Sequence, residues 1–245
     1  METYPTLSNP PITEAVIEIR FSPSAGIEIL KSACDYFELD FPKVKPVQQS
    51  SVSWKVEGGE MVPGPQESGL DHFRLSSNED REIIQLKRDR FAFSFVGHYL
   101  DWDGFSQQAL KAWEQFANKV SIEVVTRLGV RFINNLNLPQ ETDLNKFITN
   151  LPQIPLGIPA KMAGFLNQIT LSNKEISAFG QITLALDRNR TNEKKLPVIF
   201  DIDVFNLEQT QNKIELLQKK LLDLRNFKNQ IFFNSLTQNG LELYK

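Results

Sequence analysis

A single cysteine, Cys34, two histidines far apart at positions 72 and 98, and no apolar run of membrane-spanning length set the first limits on this chain. One thiol cannot close an intramolecular disulfide, and one cysteine with two separated histidines does not make a zinc cluster. No stretch approaches the roughly 20 consecutive apolar residues that a bilayer-spanning helix needs. The opening Met-Glu-Thr-Tyr-Pro-Thr-Leu-Ser has neither the basic start nor the apolar run of an export signal, so a cytoplasmic protein without membrane attachment is the simplest expectation. The chain also lacks a Gly-x-Ser-x-Gly nucleophile elbow, a Gly-rich phosphate loop ending in Lys-Ser/Thr, and a His-Glu-x-x-His metal helix. No catalytic residue therefore stands out. The chain reads less as a self-sufficient enzyme than as a binding or interaction component.

What is present is an ordinary globular composition: 245 residues, 41% hydrophobic and 23% charged, with a formal net charge of −3. That length suits one large domain or two intimate halves with a sizeable core. The slight negative charge argues against a dedicated DNA-coating protein.

Repetition organises the chain. Ile-Glu-Ile-Arg-Phe at 17–21 is echoed by Leu-Gly-Val-Arg-Phe at 128–132, and an offset of 111 carries Ile17, Ile19, Arg20 and Phe21 onto Leu128, Val130, Arg131 and Phe132. Strict alternation predicts a strand over 14–21, with Ile17, Ile19 and Phe21 on one face and Glu14, Val16, Glu18 and Arg20 on the other. Helical spacing follows over 26–37, where Cys34 falls on the apolar stripe as a small buried hydrophobe. A strand over 51–57, a loop over 58–65 and a meander of three strands at 71–77, 82–87 and 91–96 come next. A helix then starts near Asp103 as its N-cap.

The second half repeats this order. A strand covers 124–134, a short helix 143–150 with Asp143 near its start, and a proline-rich crossing 151–160. A second meander covers 165–171, 179–187 and 198–205, followed by a long helix from 208 to about 227. The expected fold is α+β: duplicated strand-helix-meander-helix units, 1–120 and 121–245, forming antiparallel sheet covered on one side by helices within one compact domain.

The run Pro10-Pro11-Ile12-x-Glu14-Ala15-Val16-x-Glu18-Ile19-Arg20-Phe21 resembles the N-terminal motif of a sporadically distributed, uncharacterised bacterial family of proteins about this length. Arg90-Phe91-Ala92-Phe93-Ser94, Thr126 to Asn134 and the closing Phe233-Asn234-Ser235-Leu236-Thr237 belong to the same resemblance, which spans essentially the whole chain. It implies genes that move between bacteria, as accessory components of mobile or anti-phage defence loci do. It carries over no activity and no catalytic residue.

Glu18 and Arg20 share the polar face of the first strand, and Arg127 and Arg131 share that of its repeat. Guanidinium groups converging on a seam between halves suit a phosphate or carboxylate, because the planar fork binds such groups bidentately. The plainer alternative is cross-strand pairing of Glu18 with Arg127 or Arg131 on a wet sheet face. Asp201 and Asp203 flank Ile202 and point to one face, where two carboxylates suit Mg²⁺ beside a bound phosphate or simply neutralise the arginines. With Glu14 these residues are similar to the lining of triphosphate-processing tunnel enzymes, although the alternating glutamates followed by lysine of that first strand are absent. A nucleotide- or polyphosphate-acting enzyme is thus the alternative function.

Basic residues also gather at two hairpin tips, Lys87, Arg88 and Arg90 in the first half and Arg188, Arg190, Lys194 and Lys195 in the second. They offer a further alternative, a grip on a nucleic-acid backbone, diluted by Asp89, Asp187 and Glu193. His72 and His98 lie in no nucleophile motif. On the last helix Ile214, Leu217, Leu221 and Leu224, continuing to Ile231, form a stripe that covers a sheet. Leu216, Leu222 and Phe227 widen it, pointing to a protein partner or homo-oligomer at the 208–231 helix.

Overall fold

The computed structural model describes residues 4–57, 59–97, 99, 101–139, 143–159, 162–186 and 195–245, with 50–57 and 63–68 described in backbone alone. The first half comprises β1 (Ile12–Ser22), α1 (Ile27–Cys34), β2 (Lys43–Glu57), β3 (Glu60–Ser76), β4 (Glu82–Lys87), β5 (Arg90–Val96) and α2 (Trp102–Ala117). The second comprises β6 (Val124–Asn135), β7 (Leu138–Pro139), β8 (Leu166–Asn173), β9 (Ala178–Leu186), β10 (Lys195–Leu196), β11 (Val198–Asn206), β12 (Thr210–Gln211), α3 (Ile214–Ser235) and α4 (Gln238–Glu242).

Alternation along β1 decides the layering. Ala15, Ile17, Ile19 and Phe21 are buried, while Glu14, Val16, Glu18 and Arg20 are half-exposed on the reverse face. β1 is central in one antiparallel sheet of order β2-β3-β4-β5-β1-β6-β11-β9-β8, with β12 added beside β6. The short β7 and β10 form a separate pair. The seam between the halves is the β1–β6 ladder, in which Glu18 faces Gly129, Arg20 faces Arg127 and Val16 faces Arg131.

The apolar face is roofed by helices: α1 packs on β3, α2 on β5, and α3 on β6 and β11. Phe91, Phe93, Trp113, Phe116, Phe132 and Phe200 are fully buried between these layers. Burial of each such side chain contributes roughly 1.5–3 kcal/mol. Trp113 keeps its one polar atom satisfied, since its indole N–H donates to Asn212 Oδ1 at 2.9 Å. Leu217, Leu221, Leu224, Phe227, Ile231 and Phe232 form the inner stripe of α3, and the buried apolar residues of both halves join in one core.

Several boundaries differ from the sequence expectation, β2 among them, which starts at Lys43 rather than at 51. The stretch 58–65 is not a loop throughout, because β3 starts at Glu60 and forms a long hairpin with β2. Its prolines are tolerated because β4 pairs only with residues 72–76 of β3, which leaves the 60–68 portion with a free edge. The helix expected over 143–150 is a single 3-10 turn, Leu144–Lys146, capped by Asp143, whose carboxylate accepts the Asn145 N–H at 3.1 Å. The N-cap of α2 is Asp101 rather than Asp103, its carboxylate accepting the Gly104 N–H at 2.7 Å. Finally, α3 begins at Ile214 rather than 208 and runs to Ser235, because Thr210–Gln211 is drawn into the sheet as β12 beside β6.

Candidate functional site

The sheet face opposite the helices carries a cavity of about 340 Å³ over the β1–β6 seam. Strand periodicity puts Glu18 and Arg20 of β1, Arg90 of β5, and Arg127 and Arg131 of β6 into its lining, with Asp203 of β11 at one side. Glu18 is the centre. Its Oε1 accepts from Arg20 Nε at 2.9 Å and from Arg127 Nη1 at 2.5 Å, and its Oε2 lies 3.1 Å from Arg90 Nη1. Three guanidinium groups thus share one carboxylate.

Arg127 is held from three directions. Besides Glu18 it donates from Nη2 to Asp203 Oδ2 at 2.9 Å, and its Cζ lies 4.3 Å from the centroid of the Phe205 ring. Gly129 makes room for this arrangement: a Cβ there would come within 2.6 Å of Arg127 Nη1. Burial pushes the Asp203 carboxyl above its usual range, opposed by the adjacent Arg127 charge and reinforced by Glu18. Arg131 and Asp201 make a separate bidentate pair, Nε to Oδ1 at 2.9 Å and Nη2 to Oδ2 at 2.6 Å, which holds the guanidinium still more firmly charged.

The structure therefore brings Glu18, Arg20, Arg127, Arg131, Asp201 and Asp203 onto one face of three adjacent strands, β1, β6 and β11. Asp201 and Asp203 are each engaged by an arginine, and among the described residues no group of three or more His, Cys, Asp or Glu is placed to hold a metal ion. Arg90, read in the sequence as part of a hairpin tip, closes the β4–β5 hairpin opposite Lys87 and also reaches Glu18 in the seam cavity. Its Nε is buried without a hydrogen-bond acceptor among the described residues. Lys87 lines the same cavity and reaches Asp71 Oδ2 at 3.1 Å, where His72 Nδ1 also lies at 2.6 Å. Arg88 is exposed on the β4–β5 turn. Arg188, Arg190 and Lys194, with Asp187 and Glu193, lie outside the described residues, as does His98. Cys34 is buried, and burial followed by the Asp35 charge pushes its thiol up to about 11, the state of an inert packing group.

Sequence reasoning missed a second cluster, Arg225 and Lys228 on α3. The only signal was a lysine within the apolar stripe between Leu224 and Ile231. Comparison with known protein families and with curated proteins finds no match to this chain.

Proposed function

We propose that this protein is a binding component that accepts a phosphate or carboxylate group of a small ligand in the cavity over the β1–β6 seam. The observation that carries this reading is the surplus of guanidinium at Glu18: Arg20, Arg90 and Arg127 converge on one carboxylate, and Arg90 Nε faces no acceptor among the described residues. A buried donor without a partner forfeits about 1–3 kcal/mol, which an incoming anion restores. The lining supplies charge and shape but no recognisable nucleophile, so recognition rather than turnover is its chemistry. The family resemblance adds a setting, an accessory role in a mobile or anti-phage locus.

A thermal-shift screen of inorganic phosphate, nucleotides, polyphosphates and organic acids, with and without Mg²⁺, tests this. An anion present at about a hundred times its Kd adds roughly 2.7 kcal/mol to stability. The Tm rise is expected to vanish in Arg20→Gln and Arg90→Gln while those variants remain folded. If no anion stabilises the wild type, the network is purely structural and the proposal fails. Turnover of a hit that is lost in Asp203→Asn would establish the enzyme alternative instead.

A further inference from the structure

A second cavity, of about 240 Å³, lies on the other side of the sheet, between the N-terminal segment, the loop leading into α2, and α3. Its walls mix aromatic rings, Tyr99, Trp102, Phe232 and Phe233, with the polar Asn134 and Asn229, and Pro10 and Pro11 lie at one edge. Tyr4 closes over it, stacked on Phe233 with ring centroids 4.7 Å apart. Into this setting α3 projects two cations one turn apart, Arg225 and Lys228.

Neither cation has an ion-pair partner among the described residues. Arg225 Cζ lies 5.8 Å from the Trp102 ring centroid, and Lys228 Nζ lies 4.1 Å from that of Phe132. Ring contacts of this kind are worth about 0.5–2 kcal/mol and do not replace the solvation an ammonium loses on burial. Desolvation, followed by repulsion from Arg225, accordingly brings the Lys228 ammonium down to about 7. Among the described residues the one carboxylate in the lining, Asp101, is occupied in capping α2 through the Gly104 N–H.

We propose that this cavity is a binding site for a small monocarboxylate with an apolar or aromatic body, its carboxylate held between Arg225 and Lys228 and its body against Tyr99, Trp102 and Phe232. The cavity falls below the roughly 300–1,000 Å³ of pockets that take drug-sized ligands, so the ligand is small. Asp101 at the rim disfavours a dianion, which separates this site from the phosphate-accepting seam. It stands independently of the seam, on different residues and on the opposite face.

Binding is linked to protonation. The titratable groups that share the cavity with Lys228 among the described residues are Arg225 on α3, Tyr99 and Asp101 before α2, and Tyr4 of the N-terminal segment. Tyr99 is itself pushed upward by burial and stays neutral through the range in question. The ammonium form of Lys228 is the one that pairs with a carboxylate, so affinity falls about tenfold per pH unit above about 7.

The test is titration calorimetry and thermal shift with benzoate and hexanoate as probes and benzyl alcohol as the uncharged control, at constant ionic strength. Benzoate or hexanoate is expected to raise Tm where the alcohol does not, with affinity about fiftyfold weaker at pH 9 than at pH 7. Lys228→Met, which removes a desolvated charge and keeps the side-chain volume, is expected to fold and to lose the effect. Arg20→Gln at the seam is expected to leave it intact. Binding that persists in Lys228→Met, or that is equal at both pH values, overturns the proposal.

Discussion

Arg127 joins three strands through one side chain that is 10% exposed, with carboxylates of β1 and β11 at its two ends and Phe205 beneath it. Removing one member of a buried ion pair strands the others in a poorly solvating site, at a cost of about 3–5 kcal/mol. Arg127→Met is therefore expected to destabilise the protein by that amount in denaturant unfolding, whereas Arg131→Met, at a half-exposed pair, is expected to change it by about 1 kcal/mol or less. Equal effects would mean that the seam network is not cooperative. Lys228 gives the opposite signature. The unfolded lysine holds its proton up to about 10.5 and the folded one only to about 7, so between these values the unfolded chain binds more protons and stability rises with pH. The slope is on the order of 1.4 kcal/mol per pH unit. Chemical denaturation between pH 7 and pH 9 should show it, and Lys228→Met should flatten it while raising stability at neutral pH.

At the scale of elements, period-two alternation made β1 and its polar face readable, because one buried face allows only one register. The same regularity made Arg20, Arg127, Arg131, Asp201 and Asp203 readable as companions on one surface. Arg90 was not, because a residue beside a turn looks solvated until β5 is known to lie against β1. The Pro63 and Pro65 portion of β3 was unreadable for a similar reason: proline signals a loop unless the strand's other edge is empty. The start of α3 was misjudged because β12 has no periodicity of its own and exists only by pairing with β6. α3 is fixed over β9 by Gly180, where a Cβ would stand 3.1 Å from Ile231 and 3.2 Å from Phe227. Gly180→Val is expected to force α3 outward and to cost about 1–3 kcal/mol, measured as a lower midpoint in urea with an unchanged m value. An unchanged midpoint would show that α3 has slack the packing does not suggest.

For the whole molecule, strand order outward from the seam is β1-β5-β4-β3 on one side and β6-β11-β9-β8 on the other. That mirrored order supports the duplication we propose from the repeated Arg-Phe strands, and Glu18 facing Gly129 is the pair about which the 111-residue offset maps the seam onto itself. Among the described residues the second half shows no counterpart of β2, and a 3-10 turn stands where α1 stands in the first.

The central position of β1 also has a price in time. It is made before the other strands of this sheet, and its two edges are claimed by strands made at very different moments, β5 by residue 96 and β6 only by residue 135. At about 5–20 residues per second, a nascent chain therefore spends several seconds with one edge of its central strand open, an invitation to pair with a neighbouring chain. Residues 1–120 made alone should stay in that state and self-associate. Made together with 121–245 as two separate polypeptides cut in the 118–123 connection, they should instead assemble one-to-one, the second fragment docking as the missing edge. Gel filtration of the two preparations distinguishes these fates, and a soluble monomeric first fragment would mean that β1 needs no partner on its seam side.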